Sequence, residues 1–275
     1  MVSQSATPEL SSNTSRHKRW IAVFDNHGDM QDDSAVELMF DFMKGWKPDY
    51  RIHGGDCFDV RRWRLKASDV ERRESMNDDV ECGLQFLARF QPTHFLRGNH
   101  DERIWDRSKS DDAEQSDYAK VILQKIDKVL PRGCVMFPYD KRRGVCDIGK
   151  LRVIHGYSSG VHAAKIAAQV YGACLMGHVH YIDHASVPGL QLDIGRACGC
   201  LCQLDQEYNR AQIQTLRQQH GFAYGVIDDN GFYQMFQAHP VGDTWYLPTE
   251  FNAASQQTYR ELIARRDLNE KALLN

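Results

Sequence analysis

Short apolar runs alternate with longer amphipathic stretches through the first two thirds of the chain. The runs of strand length occupy residues 20–24, 50–54, 93–96, 151–154 and 173–176. Between them, apolar residues recur at three- and four-residue steps, as expected for helices that pack one face on a core. This spacing predicts helices over residues 34–45, 69–90, 113–130 and 160–171. Strands that alternate with helices are typical of βαβ units, so the pattern predicts an α/β fold with a largely parallel sheet.

Beyond Pro188 the pattern changes to closely spaced strands, the last two joined by the turn signal "DDNG" at 228–231. We expect this segment to be antiparallel. Within "ACGCLCQ", period-two spacing would place Cys198, Cys200 and Cys202 on one face of a buried strand, which we favour over a metal or redox site. The predicted organisation is a disordered tail (1–18), one main domain (19–248) and a C-terminal helix (249–275).

Composition and charge narrow the class of protein. The chain has 275 residues and a formal net charge of -3, which argues against bulk adhesion to nucleic acid or membrane but leaves room for a local basic patch. No secretory h-region and no run of ~20 apolar residues is found, so we predict a cytoplasmic protein without a membrane span. Eight cysteines at irregular spacing fit reduced thiols. Oligomeric state is left open.

Metal-ligand side chains follow every one of the five apolar runs. The segments are "DNH" at 25–27, "GDCFD" at 55–59, "GNHD" at 98–101, "HG" at 155–156 and "GHVH" at 177–180. Each alone is more often structural, but the carboxyl ends of strands in an open α/β sheet converge, so the five can form one site. Asp, His and Asn without thiolate suit Mn²⁺, Fe or Zn²⁺ rather than Ca²⁺.

The segments contain more ligands than a single ion needs. If one carboxylate bridges two ions, Asp56 is the natural candidate, because it follows Gly55 in a tight strand-end turn. Two bridged ions would clamp a phosphoryl group and lower the pKa of a shared water, which makes a metal-bridging hydroxide nucleophile at neutral pH.

The five motifs resemble the pattern of calcineurin-like metallophosphoesterases: DxH, GDxxD, GNH(D/E), a later His next to Gly, and GHxH, over residues 21–180. The resemblance implies a four-layer α/β/β/α sandwich with two divalent ions at one edge, Mn²⁺ first and Fe or Zn²⁺ as alternatives. It implies that one ion is held by Asp25, His27 and His180, that the other is held by Asn99, His155 and His178, and that Asp56 bridges them. It also implies that His100 is a general acid or electrostatic stabiliser over the phosphate, oriented by Asp101.

Basic and aromatic residues follow two of these motifs. They are Arg61, Arg62, Trp63 and Arg64 after GDxxD, and Arg103 after GNHD. Arginine forks bind phosphate oxygens and an exposed Trp offers a stacking face, so we predict that these residues bind a nucleotide or polynucleotide substrate. The alternative is a solvated helix start with ordinary surface charge. The loops are closer to the pattern of repair nucleases of the SbcD type than to that of Ser/Thr protein phosphatases, and residues 198–227 resemble bacteriophage-encoded members.

The leading prediction is therefore a dinuclear-metal-dependent phosphodiesterase, with DNA as a candidate substrate. A hydrolase of a small phosphoester, such as a cyclic nucleotide or a nucleoside polyphosphate, is the alternative, and the preference between monoester and diester is open. A metallophosphoesterase fold retained as an idle protein-binding scaffold is the remote alternative. Such scaffolds usually lose ligands or the catalytic His, and none is missing from this sequence.

Overall fold

The first strand, β1 (Lys18–Val23), sends alternate side chains into two different cores. Ile21 and Val23 face a cluster shared with helices, whereas Trp20 and Ala22 face a cluster shared with a second sheet. The computed structural model describes residues 17–65, 67–189, 193–204, 213–242 and 244–247. All but the last two residues of the predicted tail, and the whole predicted C-terminal helix, lie outside these residues, so both stay predictions.

Two sheets form the centre of the fold. The first has the order β11-β10-β1-β2-β3-β4, in which β1 to β4 are mutually parallel and β10 is antiparallel to both of its neighbours, β1 and β11. Its other members are β2 (Tyr50–His53), β3 (His94–Leu96), β4 (Val135–Phe137), β10 (Phe222–Ile227) and β11 (Tyr233–Ala238). The second has the order β5-β6-β7-β9-β8, in which β6, β7 and β9 are parallel. Its members are β5 (Val145–Ile148), β6 (Leu151–Ile154), β7 (Cys174–Met176), β8 (Ile182–Val187) and β9 (Asp193–Cys198).

Helices cover the outer faces of both sheets. They are α1 (Asp33–Trp46), α2 (Met76–Phe90), α3 (Asn99–Arg107), α4 (Ala113–Val129) and α5 (Ala163–Tyr171). A small hairpin, β12 (Pro240–Val241) with β13 (Thr244–Trp245), follows the first sheet. None of the helices in the described part of the chain is long and apolar enough to cross a membrane.

Three apolar clusters separate four layers. One packs α1, α2 and α4 on the first sheet, one lies between the two sheets, and one packs α5 on the second sheet. Because the central part of each sheet is covered on both faces, β1, β7 and β10 bury both sets of alternating side chains, which explains their nearly continuous apolar runs. The predicted four-layer α/β/β/α sandwich is confirmed.

The helix predictions hold, with shifts at their ends. Asp32 caps α1 by accepting a hydrogen bond from the Ala35 amide, whereas α2 begins only at Met76, after the cap Ser75. The helix α3 was not predicted, because a run of polar residues follows the strand before it.

The segment "ACGCLCQ" is not a single strand, which corrects the prediction for its cysteines. Gly199 has a φ of +83°, which ends β9 at Cys198. The backbone of Cys200 then forms an isolated β-bridge with His220, and that of Cys202 forms one with Gln31. The three cysteines therefore do not lie on one face of a single strand. The turn at Gly199 therefore sends Cys202 toward the loop that follows β1.

Candidate metal centre

The loops after β1, β2, β3, β6 and β7 meet at one edge of the sandwich. Backbone hydrogen bonds join them: the Asp25 amide donates to the Gly55 carbonyl at 3.0 Å, and the Gly177 amide donates to the His155 carbonyl at 2.9 Å. The first bond links neighbouring strand ends of one sheet, and the second links those of the other. The convergence that strand order predicts is thus present in the structure.

Five of the expected ligand residues have left-handed backbone conformations. Asp25, His27, Asp56, His178 and His180 all have φ between 53° and 68°. Non-glycine residues rarely adopt this region, which costs on the order of 1–3 kcal/mol each and persists where the surroundings impose it. The strain aims these side chains inward, and it marks the edge as a candidate functional site.

Gly98 allows the two central motifs to approach closely. A Cβ at this position would lie 2.0 Å from Oδ1 of Asp56, so only glycine fits. The close approach places the first turn of α3 against the Asp56 carboxylate, whose Oδ1 accepts a hydrogen bond of 2.8 Å from the His100 amide. One carboxylate oxygen of Asp56 is thereby held by the helix, and the other faces the imidazoles.

Asp56 is shared by two groups of ligand atoms. Its carboxylate lies with Asp25 and His27 in one group and with His155 and His178 in another. Its Oδ2 is 3.3 Å from Nε2 of His155 and 3.8 Å from Nε2 of His27. This is the position that a bridging carboxylate would need.

The first group, with the adjacent His180, contains polar atoms whose contacts a bound cation would complete. Nε2 of His27 and Nε2 of His180 are 3.2 Å apart, and Nε2 of His180 is 3.7 Å from Oδ1 of Asp25. Oδ1 of Asp25 is buried and has no hydrogen-bond partner among the described residues. A buried unpaired carboxylate oxygen is costly, so this atom and the two facing imidazoles fit a bound divalent ion.

The second group has its imidazole tautomer set by the backbone. Nδ1 of His155 donates to the Gly54 carbonyl at 3.0 Å, which leaves Nε2 free to point at Oδ1 of Asn99, 3.2 Å away. Partners of this kind on the outer nitrogen orient metal-ligating histidines in general. With Asp56 and His178, these atoms supply the nitrogen and oxygen ligands that suit Mn²⁺, Fe or Zn²⁺.

Burial and the charges of neighbouring groups shift the pKa values of the acids and imidazoles at the centre. Burial raises the pKa of Asp25 to about 7. Burial opposes the charge on His27 and His155, but the surrounding carboxylates raise the pKa of His27 to about 10 and that of His155 to about 9. Burial also disfavours the charged form of Asp56, yet its neighbour His155 holds the pKa well below its usual range. In the absence of metal, protons therefore occupy part of the ligand set.

His100 lies at the open side of the centre and is held by Asp59. Its side chain is 14% exposed, and its ring meets that of His27 edge-on at 4.7 Å between centroids. Nδ1 of His100 lies 2.6 Å from Oδ1 of Asp59. Nη1 of Arg103, one helical turn along α3, lies 3.1 Å from Nδ1 of His100 and donates to the Asp59 carbonyl. Of the predicted substrate-binding residues, Arg103 is thus the one that contacts His100.

The role expected for Asp101 is corrected by its contacts. Its two carboxylate oxygens accept hydrogen bonds from the amides of Phe58 and Gly98, at 2.9 and 2.8 Å. As the third residue of α3, Asp101 caps the helix through the Gly98 amide, and its other oxygen ties the GDxxD loop to the helix through the Phe58 amide. Asp101 therefore fixes the loops that carry Asp56 and Asn99, while Asp59 takes the contact with His100.

Two residues to which the sequence assigned no role at the centre support it: Cys202, which was expected only to pack in a buried strand, and Asp79, which was not singled out. Sγ of Cys202 lies 3.6 Å from Nδ1 of His180, on the side of the ring away from Asp25. The buried Asp79, on α2, accepts hydrogen bonds from the amides of Asp59 and Val60 and so holds the GDxxD loop. The signal for Asp79 is weak because nothing local in the helix distinguishes it from a surface acid.

The basic segment after Asp59 divides into two parts. Arg61 is buried and its fork is filled by Asp29, at 2.6 and 2.7 Å, and by Glu74, which corrects the prediction that it binds substrate. Arg64 pairs with Glu71 at 2.7 Å. Arg62 is exposed, and Trp63 is half-buried against Tyr118. Arg62, Trp63 and Arg64 line a cleft and stay predicted substrate-binding residues.

Comparison with known proteins places the chain in a family. The model of the calcineurin-like phosphoesterase family matches residues 22–181, more than half of the chain. No curated protein matches. Solved structures with some likeness include a predicted phosphoesterase from Streptococcus pneumoniae, at 16% identity and a TM-score of 0.34 over 81% of this chain and 98% of that one. A single mutant of Vps29 from Entamoeba histolytica has 10% identity and a TM-score of 0.39 over 81% and 99%.

A 5'-nucleotidase precursor from Thermus thermophilus has 9% identity and a TM-score of 0.33 over 81% of this chain and 54% of that one. At such scores these likenesses carry no argument about substrate. The family match covers all five motifs, from Asp25 to His180, and the geometry brings their side chains together. The chain therefore belongs to the calcineurin-like phosphoesterase family and is a metal-dependent phosphoric ester hydrolase.

Proposed function

We propose that the enzyme is a phosphodiesterase that uses two divalent ions and acts on a DNA strand. The observation that carries the proposal is the position of Asp56, whose carboxylate is common to both groups of ligand atoms. A shared carboxylate between two ligand sets is the arrangement that holds a pair of ions against one phosphoryl group. The proposed ligands are the five residues of the two groups together with His180, which faces His27, and Asn99, which faces His155. The full set is Asp25, His27, Asp56, Asn99, His155, His178 and His180.

When bound, the two ions would neutralise the phosphoryl oxygens and supply an activated water. The protein's own contribution is the placement of His100. Because Asp59 and the Asp59 carbonyl occupy Nδ1, the free atom is Nε2, which lies 3.9 Å from Oδ2 of Asp56 and thus faces the centre. An imidazole in this place can give a proton to the leaving oxygen or stabilise its charge. Arg103 adds positive charge beside it.

A diester of DNA is favoured over a small phosphoester because arginines continue beyond the centre. Arg62 and Arg64 line a cleft next to the GDxxD loop, and such groups are superfluous for a substrate that reaches only the metals. Hydrolysis of a cyclic nucleotide or nucleoside polyphosphate is the second candidate, favoured if Arg103 alone supplies the phosphate contact. Mn²⁺ is the ion we propose, because the ligands combine carboxylate, amide and imidazole without thiolate.

The test is hydrolysis in the presence of Mn²⁺ on parallel panels of single- and double-stranded DNA, RNA, cyclic nucleotides and a generic aryl phosphodiester. We expect turnover of the aryl diester and of DNA by the wild-type chain, and none by Asp56→Asn under the same conditions. Turnover of cyclic nucleotides alone would refute the DNA proposal and favour the second candidate, a hydrolase of a small phosphoester. A protein that binds two ions and hydrolyses nothing on the panel would instead be an idle scaffold.

A further inference from the structure

A cleft of about 840 Å³ opens between the segment after Asp59 and the first turns of α4. Its walls include three arginines from three different segments: Arg62 after the GDxxD motif, Arg72 before α2, and Arg107 at the end of α3. Trp63 and Tyr118 lie between them, with their rings edge-to-face at 6.1 Å and an interplanar angle of 76°. The cleft is therefore basic and partly aromatic.

The arginines of this region fall into two groups, those that form ion pairs with carboxylates and those that do not. Arg61 and Arg64 are paired with carboxylates at their guanidinium groups. Within the described parts of the chain, no carboxylate lies within 4.0 Å of the guanidinium groups of Arg62, Arg72 and Arg107. Two acids also line the cleft, but Asp112 is engaged at the start of α4, where it accepts hydrogen bonds from the amide and the side chain of Gln115. Three guanidinium groups without a described carboxylate within 4.0 Å thus line the cleft, together with the carboxylates of Asp112 and Glu114.

The helix α3 connects this cleft to the metal centre. His100, Arg103 and Arg107 are spaced by three and four residues, so they lie on one face of the helix. At a rise of ~1.5 Å per residue, Arg107 lies about 10 Å along the axis from His100. A strand that carries one phosphate per ~3.4 Å of helix axis would place a phosphate near Arg107 about three positions from the one at His100.

We propose that the cleft binds the sugar-phosphate backbone of a DNA strand a few nucleotides from the phosphate that is cleaved. Arg62, Arg72 and Arg107 contact phosphates, and Arg103 continues the track to His100. This inference rests on the proposed phosphodiesterase function, because it assigns the remainder of the substrate to a surface beyond the metals. The cleft then determines length preference: an oligonucleotide occupies both places, whereas a small diester occupies only the centre.

The first experiment measures binding without catalysis. The triple variant Arg62→Gln, Arg72→Gln, Arg107→Gln is compared with wild type for a fluorescein-labelled single-stranded DNA of ~20 nucleotides in EDTA, by fluorescence anisotropy at several salt concentrations. We expect weaker binding and a slope of log affinity against log salt that is flatter by about 2, since each single-strand phosphate contact contributes ~0.7. The matched control is Arg132→Gln, Arg142→Gln, Lys165→Gln, three exposed cations that do not line the cleft.

Equal affinity and slope in the triple variant and the control would overturn the proposal. The second experiment compares kcat/KM with Mn²⁺ for the DNA strand and for an aryl phosphodiester. We expect the triple variant to lose at least 10-fold more on DNA than on the diester. Equal losses on the two substrates would also overturn it, because the arginines would then support the fold or the metal loop.

A lowered melting temperature of the triple variant would reveal a folding defect, because the Arg72 side chain also donates to the Ala67 carbonyl. In that case both experiments are repeated with the double variant Arg62→Gln, Arg107→Gln. Failure of the proposed function itself has a different signature: the wild-type protein would hydrolyse neither substrate. The binding measurement in EDTA does not depend on turnover, so it still decides whether the cleft takes DNA.

Discussion

Oδ1 of Asp59 lies 2.6 Å from Nδ1 of His100. The same oxygen is 3.3 Å from Nδ1 of His27, so one buried carboxylate contacts both a proposed metal ligand and the proposed acid. Burial opposes the charge on Asp59, but the two imidazoles hold its pKa well below the usual range. The carboxylate therefore stays ionised and can orient both rings, which couples the position of His100 to that of the metal ligands.

Asp59→Asn tests this coupling. An amide keeps the shape but removes the charge, so we expect a loss of roughly 10–100-fold in metal affinity or in kcat, the usual scale for a partner of a ligating histidine. Metal titration and steady-state hydrolysis of an aryl diester measure the two quantities. Wild-type values for both would show that the carboxylate has no orienting role.

Asp101→Asn is the companion substitution, with a different expected readout. Asn offers one acceptor oxygen where Asp101 satisfies two buried amides, so one amide loses its partner and unfolding should become easier by about 1–3 kcal/mol. Thermal or urea unfolding of the metal-free protein measures this change. A variant with full stability and a loss of kcat above that of Asp59→Asn would restore Asp101 as the residue that orients His100.

Asp56→Asn removes the only carboxylate common to both groups of ligand atoms among the described residues. We expect the metal content of the purified protein to fall below two ions per chain and turnover to disappear, because both ions lose a charged ligand at once. Elemental analysis and the aryl diester assay check this. Two ions per chain with normal turnover would refute the bridging assignment.

His100→Ala separates chemistry from metal binding. His100 is proposed to act on the phosphate or leaving group without holding an ion, so the variant should keep its metal content and lose about 10²-fold or more in kcat. His94→Ala is a suitable control, since His94 lies in β3 and contacts Tyr50 away from the centre. Loss of metal from the His100 variant would make this residue a ligand.

Metal affinity should rise with pH. The pKa values of about 10 for His27 and about 9 for His155 lie above the ordinary value of ~6.5, so both rings hold protons at pH 7 in the metal-free fold. These protons stabilise the metal-free fold fully below the unfolded pKa, and their contribution is lost as the pH rises through 9 to 10. An ion must displace them, so apparent affinity should increase by up to about tenfold per pH unit for each proton until pH ~9.

Calorimetric titration at pH ~7.5 in two buffers of different ionisation enthalpy counts the protons released. We expect net release on loading of the centre. A titration without proton release, and with affinity independent of pH between about 6.5 and 8.5, would contradict the protonated state of these ligands.

Cys202→Val tests the contact between the thiol and His180. With Nε2 on an ion, Nδ1 of His180 carries the proton and needs an acceptor, and Sγ of Cys202 is 3.6 Å away. We expect a loss of about 10-fold in affinity for one of the two ions, with Cys202→Ser closer to wild type. Cys146→Val, a buried thiol between the sheets, should leave both affinities unchanged.

Much of the centre could be predicted because its ligands are local to strand ends. Asp25, Asp56 and Asn99 follow β1, β2 and β3 within a few residues, and parallel neighbours bring their carboxyl ends to one edge whatever the surrounding detail. The layers could be predicted for the same reason, since covering both faces of each sheet requires strands that are apolar on both sides.

The partners of these ligands depend on contacts between distant segments. Asp59 rather than Asp101 holds His100 because the Gly98 amide at the start of α3 and the Phe58 amide of the GDxxD loop use both oxygens of Asp101. Arg61 is unavailable because Asp29, 32 residues earlier, reaches its fork. Cys202 meets His180 because Gly199 ends β9 and redirects the chain. Such choices are made by packing and by competition for hydrogen-bond acceptors among side chains that no short sequence pattern relates.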